Sequence, residues 1–513
     1  MDINNMRNPS LQPARLSLPL VLQAIQPWHT PERDLLQAET PLVTSITQDS
    51  RCVVPGSLFI AIPGAGVDGW QFVSQALESG ARYVLGEHRL SSDEEELFQK
   101  HQASYLAVTS AHEALAALAQ AYWHHPSKQL RLVGVTGTNG KTSTATMLYH
   151  LFTQLGYTVG LIGTVENRIG AFVETSTHTT PDPLVLAQLL FRMQQMGCSY
   201  VFMEVSSHAI HQHRIGSLHF TGALFTNLTR DHLDYHGTMQ EYIRAKKMFF
   251  DRLPASSFAL VNADDRNGAV MLQNTSARRY TYGLKNFADF KAKVVEGDLV
   301  GTELLVDNHS LWIPLVGTFN AYNVTLVYAT ARLLLPELEA EKLLAHLSTI
   351  KTAEGRFQVI SEGGFVGIVD YAHTPDALVK VLDTIRPLLP RKGRLITVVG
   401  AGGNRDQGKR PLMAQEAFRR SDLLLLTSDN PRNEDPQAII NDMLDGLDPE
   451  EQVHCLTNVD RRSAIRTACR LATPRDVILI AGKGHETYQE IQGVRHHFDD
   501  REELRKALQS LIH

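Results

Sequence analysis

Short apolar runs along the chain alternate with longer stretches in which apolar residues recur at helical spacing. Apolar runs of about 4 to 8 residues are typical of buried strands, whereas recurrence every three to four residues is typical of helices. In the middle of the chain, strands are predicted at residues 132–135, 159–162, 200–205, 223–226 and 258–261, and helices at 141–155 and 184–196. This alternation predicts a mostly parallel sheet with helices on both faces.

The same alternation is repeated towards both ends of the chain. After residue 354, strands are predicted at 367–370, 395–399, 423–427 and 477–481; before residue 109, a helix is predicted at 72–81 and a strand at 83–85. A chain of 513 residues exceeds what a single hydrophobic core supports. Three domains are therefore predicted, at residues 1–109, 110–353 and 354–513.

The segment V-G-V-T-G-T-N-G-K-T-S-T, at residues 133–144, connects a predicted strand to a predicted helix. Such a turn directs free backbone N–H groups and the positive end of a helix dipole at one point, which suits a polyphosphate. Lys141 would reach the outer phosphates, and the Thr142 hydroxyl would contact a magnesium ion. The glycine spacing departs from a strict Walker A motif. Mononucleotide binding is still predicted, by Gly137, Thr138, Asn139, Gly140, Lys141 and Thr142.

Further polar residues follow other predicted strands of the middle segment. Glu204 ends one strand, and the sequence R-D-H-L-D-Y-H-G, which contains His232, follows another. Ligands of open α/β sheets bind at the carboxyl ends of strands, so both side chains are candidate magnesium ligands. The alternative is that His232 and His208 only satisfy local hydrogen bonds.

Four polar loops follow the predicted strands of the last segment. Their sequences are D-Y-A-H-T-P-D, G-A-G-G-N-R-D-Q-G-K-R-P, S-D-N-P-R-N-E-D-P and G-K-G-H-E-T-Y. Loops at equivalent ends of one parallel sheet lie along the same edge, which predicts a second binding face. Solvent-exposed helix caps would explain many of these side chains, but not the clustering of Arg, Asn and Glu.

Composition narrows the class of protein. With 43% hydrophobic and 20% charged residues, the chain has the composition of a globular enzyme. A net charge of -6 argues against nucleic acid or a membrane surface as a partner. The four cysteines form no C-x-x-C pair, and we find neither a signal peptide nor an apolar run of membrane-spanning length. We therefore expect a cytoplasmic protein without membrane insertion.

Motifs along nearly the whole chain resemble those of the Mur ligases, which form amide bonds with ATP in peptidoglycan precursor synthesis. The matching segments are T-G-T-N-G-K-T (136–142), T-T-P (179–181), E-V-S-S-H-A (204–209), D-H-L-D-Y-H-G (231–237), A-K-K (245–247), F-N-A-Y-N (319–323), D-Y-A-H-T-P-D (370–376), D-N-P-R (429–432) and G-K-G-H-E (482–486). The sequence departs from common family residues at Glu354, Gln358 and Asn404.

The resemblance implies a fold and an activity. The fold is a three-domain α/β architecture, in which a central P-loop mononucleotide-binding parallel sheet is flanked by a small N-terminal α/β domain and a C-terminal Rossmann-like α/β domain. The similarity is strongest to members that add meso-diaminopimelate to UDP-N-acetylmuramoyl-L-alanyl-D-glutamate through an acyl phosphate. Mg²⁺ is then the expected cofactor and ATP a co-substrate. A monomer is expected, with small molecules as its partners.

The resemblance also implies roles for individual residues, and Lys141, Lys246, His232 and Glu204 are the implied catalytic set. The implied metal ligands are Thr142, Glu204, His232 and Lys246, the last as a carbamate (N6-carboxylysine). On the adenosine side, the resemblance adds Asn320, Arg356 and Asp370. The UDP-linked substrate is assigned to Gln48, Ser50, Ala65, Gly66, Val67, Thr179, Thr180, Ser206, Gln212 and Arg214. Diaminopimelate is assigned to Arg405, Asp429, Asn430, Pro431, Arg432, Gly482 and Glu486.

Two other functions remain open from the sequence alone. A folylpolyglutamate synthetase shares the phosphate loop and the acyl-phosphate route, but would not be expected to carry the N-terminal D-S-R segment or D-N-P-R. A regulatory or motor P-loop NTPase would couple ATP turnover to movement. Phosphate release distinguishes these classes, because a ligase should hydrolyse little ATP before both of its other substrates are present.

Overall fold

The computed structural model describes residues 13, 16–25, 42–64, 67–176 and 178–511. The chain forms two compact units. The first comprises Met1–Gly134, Gly156–Ala223 and Arg252–Ser257, and the second comprises Val135–Leu155, Leu224–Asp251 and Phe258–His513. The predicted domain boundaries at residues 109 and 353 stay predictions. Among the residues that the structure describes, no helix is both long and apolar enough to cross a membrane.

The N-terminal part of the first unit is a small α/β structure. Its elements are β1 (Leu16–Ser17), α1 (Leu18–Ile25), β2 (Leu42–Val43), β3 (Ile46–Thr47), β4 (Leu58–Ile60), α2 (Val73–Glu78), β5 (Tyr83–Gly86), α3 (Ser92–Lys100), β6 (Ser104–Ala107) and α4 (Ala111–Tyr122). Strands β3 to β6 form a parallel sheet in chain order. The helix predicted at residues 72–81 is shorter, since it begins after a 3-10 turn at Gly69–Phe72 and ends at Glu78, shortly before Gly80, whose φ is 96°.

The next elements carry the phosphate loop and the strand that ends at Glu204. They are β7 (Arg131–Thr136), α5 (Lys141–Gln154), β8 (Val159–Ile162), β9 (Glu166–Ile169), β10 (Phe172–Thr175), α6 (Pro183–Gln195), β11 (Tyr200–Glu204) and α7 (Ser207–His211). In the first unit, β8 pairs with β11 in parallel, which confirms the predicted strands there. The antiparallel neighbours β9 and β10 were not predicted.

The second unit continues with a sheet that changes from parallel to antiparallel. Its elements are β12 (Gly222–Phe225), α8 (Leu233–His236), α9 (Met239–Asp251), β13 (Phe258–Asn262), α10 (Gly268–Met271), β14 (Arg278–Gly283), β15 (Phe290–Gly297), β16 (Thr302–Val306), β17 (His309–Ile313), α11 (Thr318–Leu334) and α12 (Ala340–Leu347). Strands β13, β14 and β15 are parallel, whereas β15, β16 and β17 are antiparallel.

The C-terminal part of the second unit has its own sheet. Its elements are β18 (Gln358–Glu362), β19 (Phe365–Asp370), α13 (Pro375–Ile385), β20 (Leu395–Ala401), α14 (Lys409–Arg420), β21 (Leu423–Ser428), α15 (Pro436–Leu444), α16 (Pro449–Val453), β22 (Cys455–Asn458), α17 (Arg461–Leu471), β23 (Val477–Ala481), β24 (Tyr488–Ile491), β25 (Val494–His497) and α18 (Asp500–Gln509).

Strand order in this sheet is β18-β19-β23-β20-β21-β22, and only the edge strand β18 is antiparallel to its neighbour. Two clusters of buried apolar residues cover its faces. All four strands predicted for this segment are confirmed. Since β19, β20, β21 and β23 run in the same direction, the four polar loops that follow them lie along one edge of the sheet.

Candidate active site

The phosphate loop lies between the end of β7 and the start of α5, and it is tightly packed. Gly137 and Gly140 have positive φ angles of 149° and 89°. A Cβ atom on Gly137 would lie 1.9 Å from Thr226 Oγ1, and one on Gly140 would lie 2.7 Å from Asn323 Oδ1. Glycine is therefore required at both positions by the close approach of neighbouring atoms and by the backbone conformation.

Side chains that follow β12 hold this loop in place. Thr226 Oγ1 donates to the Asn139 carbonyl at 2.6 Å, and Asn227 Nδ2 donates to the same oxygen at 3.1 Å. The Asn139 amide in turn donates to Asn227 Oδ1 at 3.1 Å. Neither Thr226 nor Asn227 was among the predicted site residues. Their position directly after a strand and next to the R-D-H-L segment is the signal that could have identified them.

Two lysines converge on the phosphate loop. Lys141 Nζ donates to the carbonyls of Gly137 and Thr138, each at 2.9 Å. Lys246 Nζ, on α9, donates to the Gly137 carbonyl at 3.0 Å and is almost completely buried, at 1% exposure. Burial, together with the positive charge of Lys141, holds the pKa of Lys246 well below its usual value.

An acidic residue lies beside these lysines. His232 Nε2 is 3.5 Å from Asp231 Oδ2, and His232 has a positive φ of 53°. Burial opposes ionisation of Asp231, but the charges of His232, His373 and Lys141 lower the pKa of its carboxyl group. Burial and Lys409 lower the pKa of His373 to about 4. His373, which the sequence analysis did not select, therefore belongs to the same polar centre in the second unit.

The predicted adenosine residues Arg356 and Asp370 lie together. Arg356 Nη2 donates to Thr142 Oγ1 at 3.3 Å, and its guanidinium lies 4.3 Å from the centre of the Tyr371 ring. The Phe357 amide donates to Asp370 Oδ2 at 2.7 Å, and burial raises the pKa of Asp370. The C-terminal sheet and the phosphate loop are thus in direct contact within the second unit.

Asn320 lies in the first turn of α11, where it is buried. Its Nδ2 donates to the Val316 carbonyl at 2.9 Å, and its Oδ1 accepts a bond of 3.4 Å from Asn323 Nδ2. Asn323 is the residue whose side chain approaches Gly140. Asn320 is therefore connected to the phosphate loop through Asn323.

The loops after β21 and β23 meet, as predicted from the direction of these strands. Asn430 Nδ2 donates to Glu486 Oε2 at 2.7 Å. A Cβ atom on Gly482 would lie 2.4 Å from Asp429 Oδ2. Burial and the charge of Asp429 raise the pKa of Glu486. The residues that are predicted to bind the amino-acid substrate thus include a compact group of carboxylate and amide side chains.

Arg432 is fixed by its backbone as well as its side chain. Its φ is 53°, its amide donates to the Glu490 carbonyl at 2.9 Å, and its own carbonyl accepts from Gln492 at 2.7 Å. Its Nη1 donates to the Gly403 carbonyl at 2.6 Å. The N-cap of α15 is Asp435, whose side chain accepts from the Gln437 amide. The cap of this helix is thus made by Asp435, whereas the Arg432 guanidinium is bonded to the Gly403 carbonyl.

Glu434, two residues after Arg432, is bonded to the loop that follows β20 and to Arg410 on α14. It accepts from Arg410 Nη2 at 3.0 Å and from the Asn404 amide. Asn404 is one of the positions that depart from the common family residue. Its Oδ1 accepts from the Asn433 amide at 3.1 Å, so its side chain binds the backbone of the neighbouring loop. The predicted residue Arg405 lies in the same segment, where its Nη1 donates to the Asn404 carbonyl at 3.5 Å.

The first unit contains a cavity of about 300 Å³. Its lining residues are Gln48, Ile62, His112, Leu115, His178, Asp182, Pro183, Gln212 and Arg214. Three of these, Gln48, Gln212 and Arg214, were predicted to bind the UDP-linked substrate. Arg214 Nη2 donates to Gln212 Oε1 at 2.7 Å, and its Nη1 donates to the Thr180 carbonyl at 2.9 Å. The two histidines were missed because no motif marks them.

The end of β11 lies in a network with the other predicted residues of the first unit. Glu204 is buried and accepts from the Thr164 amide at 2.7 Å. The Thr164 hydroxyl lies 3.0 Å from that of Thr179, and Thr180 Oγ1 donates to the Glu204 carbonyl at 2.8 Å. The Ser206 amide donates to Thr180 Oγ1 at 3.1 Å.

The structure describes only some of the remaining N-terminal residues that were predicted to bind the UDP-linked substrate. Ser50 Oγ donates to Gln75 Oε1 at 2.8 Å, and Val67 is exposed. Ala65 and Gly66 lie outside the described residues. The assignment of all these residues as ligand contacts stays a prediction.

Of the predicted metal ligands, Thr142 and Glu204 carry oxygen donors, whereas His232 carries ring nitrogens. Hydroxyl and carboxylate oxygens are the donors that Mg²⁺ prefers, and a carbamate on Lys246 would add another carboxylate-like group. The low pKa of Lys246 favours the neutral amine that reacts with carbon dioxide. Within the part of the chain that the structure describes, no three His, Cys, Asp or Glu side chains form a metal-binding group by themselves.

Comparison with known proteins assigns the chain to a family. It matches the models for the Mur ligase family catalytic domain at residues 42–123, the Mur ligase middle domain at 135–331 and the Mur ligase glutamate ligase domain at 355–484. The chain belongs to the Mur ligase family. Its fold is the three-domain α/β architecture of that family, as predicted.

Two relatives carry the name UDP-N-acetylmuramoyl-L-alanyl-D-glutamate--2,6-diaminopimelate ligase. The protein from Parabacteroides distasonis is 52% identical over 473 residues, covering 92% of this chain and 96% of the relative. The protein from Bacteroides fragilis is 52% identical over 465 residues, covering 90% and 94%. A solved structure with the same name is 32% identical, covers 98% of this chain and 100% of its own, and has a TM-score of 0.66.

Proposed function

We propose that this protein is an ATP-dependent ligase that joins meso-diaminopimelate to UDP-N-acetylmuramoyl-L-alanyl-D-glutamate in the cytoplasm. The names of relatives that are 52% identical over about nine-tenths of the chain support this choice. The observation that carries the proposal is the bond between Arg356 and Thr142. This bond joins the phosphate loop to the C-terminal sheet within the second unit. The loops at the edge of that sheet carry the polar residues that are predicted to bind the amino-acid substrate.

The reaction requires two anions to meet. The substrate carboxylate attacks the γ-phosphorus of ATP, so that ADP leaves and an acyl phosphate forms. The free amine of diaminopimelate then attacks the acyl carbon, phosphate leaves with the electrons of the broken C–O bond, and the nitrogen loses a proton as the amide forms. Lys141 would neutralise charge that develops on the phosphoryl oxygens. No protein nucleophile is needed.

Magnesium is proposed to bind in the polar centre of the second unit. Thr142, His232 and a carbamylated Lys246 would hold it there, and the ion when bound would neutralise phosphate charge. The carbamate forms when the neutral Lys246 amine attacks carbon dioxide and loses a proton. Glu204 belongs to the first unit, and its role as a ligand stays the prediction that the family resemblance made.

The choice of amino acid is proposed to depend on Arg432 and Glu486. Diaminopimelate differs from lysine by a carboxylate at its distal end, and a guanidinium binds a carboxylate through two parallel hydrogen bonds. Glu486 and the Gly482 carbonyl would accept from the distal ammonium. In the structure the Arg432 guanidinium is already held at the Gly403 carbonyl. Lysine would leave Arg432 without its carboxylate partner.

The test measures amide formation and phosphate release with meso-diaminopimelate and with L-lysine. The wild type should use diaminopimelate almost exclusively, and Arg432→Ala should lose about 30-fold to several thousand-fold in kcat/KM, because a buried charge pair loses one partner. Arg419→Ala, on the last turn of α14, is the matched control and should retain activity. A wild type that prefers lysine would refute the proposed substrate.

The two other functions predict different results in the same assay. A motor or regulatory NTPase would hydrolyse ATP steadily without the other substrates, whereas the ligase should release little phosphate until both are present. A folylpolyglutamate synthetase would not use the UDP-linked peptide. The match of residues 42–123 to the Mur ligase family catalytic domain and the D-N-P-R loop favour the proposed ligase over this relative.

A further inference from the structure

Lys483 is a completely buried cation between the loops that follow β21 and β23, and the reaction described above gives it no role. Its Nζ donates to Asn430 Oδ1 at 2.9 Å and to Glu486 Oε2 at 3.1 Å, and lies 3.9 Å from Asp429 Oδ1. Its side chain is 0% exposed. A lysine is rarely buried without partners, so this environment is specific for its charge.

Lys483 and the Glu490 amide together fix the orientation of the Asn430 side-chain amide. Its Oδ1 accepts from Lys483 Nζ and from the Glu490 amide at 2.9 Å, which uses both lone pairs. A lysine ammonium can only donate, so the oxygen must face it. One N–H of Asn430 Nδ2 donates to Glu486. The second N–H has no acceptor among the residues that the structure describes, so it is available to a substrate carboxylate.

Lys483 also acts on the charge of Glu486. Burial and the neighbouring Asp429 raise the pKa of this carboxyl group, and Lys483 opposes the increase by its charge and its hydrogen bond. The ionised carboxylate is the form that accepts an ammonium group from the incoming amino acid. One side chain thus helps to orient an amide donor and favours the ionised form of a carboxylate acceptor.

We propose that Lys483 is a positioning residue that determines the affinity for the amino acid, through the orientation of Asn430 and the charge of Glu486. This inference rests on the proposed function. The inference adds to the proposed function a residue that the amino-acid substrate need not contact. The residue acts only through the two side chains to which it donates.

The test compares Lys483→Met, which keeps the apolar volume, with Lys506→Met. Lys506 lies on the exposed face of α18, where it pairs with Glu502 at 3.4 Å, so its loss removes the same charge from the same part of the chain. Lys483→Met should raise KM for meso-diaminopimelate by about 10- to 100-fold, the effect of losing hydrogen bonds to charged groups. KM for ATP and for the UDP-linked peptide should stay within about 2-fold, and Lys506→Met should match the wild type throughout.

A double variant tests whether Lys483 acts through Glu486. If it does, Lys483→Met combined with Glu486→Gln should raise KM for diaminopimelate by less than the product of the two single effects, because the part of the Lys483 effect that passes through Glu486 is already lost. Effects that multiply, or equal increases in KM for all three substrates, would show a merely structural role and refute the inference. If Lys483→Met does not fold, Lys483→Gln, which keeps a donor, takes its place. A wild type without diaminopimelate-dependent activity would refute the proposed function instead.

Discussion

The Gly137 carbonyl accepts hydrogen bonds from two lysines, one of which is deeply buried and has a lowered pKa because of its burial and its charged neighbour. Lys141 Nζ and Lys246 Nζ lie 2.9 and 3.0 Å from the same oxygen. Two ammonium groups at this distance repel each other, and Lys246 is the more deeply buried. The proton is therefore lost more easily from Lys246, which leaves an amine that carbon dioxide can modify.

Lys246→Ala should lose activity by roughly 100-fold or more, because a group that places charge at the phosphates is removed. Added acetate should restore part of the activity, since a small carboxylate can replace the carbamate. The matched control is Lys247→Ala, whose lysine pairs with Asp251 at 2.6 Å on the same helix. Full activity in Lys246→Ala, or no response to acetate, would contradict the carbamate hypothesis.

Residues within motifs could be predicted from the sequence, but several of their neighbours could not. The phosphate loop was recognisable because Gly, Lys and Thr lie at fixed positions between a strand and a helix. Asn227, His373 and Tyr371 reach the same centre through tertiary packing of β12 and β19. No local spacing relates them to the loop, so their contacts appear only in the folded chain.

Turns at the amino ends of β20 and β23 are joined by one carboxylate. Asp476 Oδ1 accepts from the Arg394 amide at 2.8 Å, and its Oδ2 accepts from Arg394 Nη2 at 2.7 Å and from the Thr473 amide at 2.8 Å. Burial opposes ionisation, but these bonds to Arg394 and Thr473 lower the pKa of Asp476 to about 2. The ionised form therefore stabilises the folded state.

Asp476→Asn should lower the melting temperature at pH 7 by about 3 to 10 °C, since it removes charge-assisted hydrogen bonds. The folded pKa lies below the unfolded value of about 3.9, so this stabilisation is present above pH 4 and is lost as the pH falls towards 2. The difference between wild type and variant should shrink over that window in thermal scans.

The exposed residue Asp445 provides the control for this prediction. Asp445→Asn should change the melting temperature by less than about 1 °C at each pH. A constant difference between wild type and Asp476→Asn from pH 7 to pH 2 would contradict the assignment, because the stabilisation would then not depend on ionisation.

Several fully buried strands could be predicted from the sequence, whereas a more exposed hairpin could not. Strands β20 and β23 are buried along their whole length, so they read as continuous apolar runs that the sequence reveals. The hairpin β24–β25 has only exposed and half-buried residues, and its sequences Y-Q-E-I and V-R-H-H carry no apolar run. This hairpin still matters for the site, because its residues Glu490 and Gln492 hold the backbone of Arg432.

The boundaries of the two compact units differ from the predicted domain boundaries, and they divide the predicted site residues differently. One boundary falls between Gly134 and Val135, inside β7, and another between Ala223 and Leu224, inside β12. The sequences of these two strands give no sign of such a boundary. The consequence for function is that Lys141 belongs to the second unit, whereas the cavity lined by Gln212 and Arg214 belongs to the first.

This separation predicts that Lys141→Ala abolishes the chemical step while the UDP-linked peptide still binds. The loss in kcat should be about 1,000-fold or more, because the ammonium stabilises charge on the transferred phosphoryl group. Calorimetric titration should give a Kd for the UDP-linked peptide within about 3-fold of the wild type, a difference of less than ~0.7 kcal/mol.

Arg214→Ala is the reciprocal variant for this experiment. Its guanidinium lines the cavity and bonds to Gln212 and Thr180, so its loss should weaken the UDP-linked peptide by about 10-fold or more and leave the Kd for ATP unchanged. The two variants should therefore show opposite patterns in the same pair of titrations. If Lys141→Ala instead lost affinity for the UDP-linked peptide, the phosphate loop would take part in binding that substrate and the proposed division of sites between the two units would be wrong.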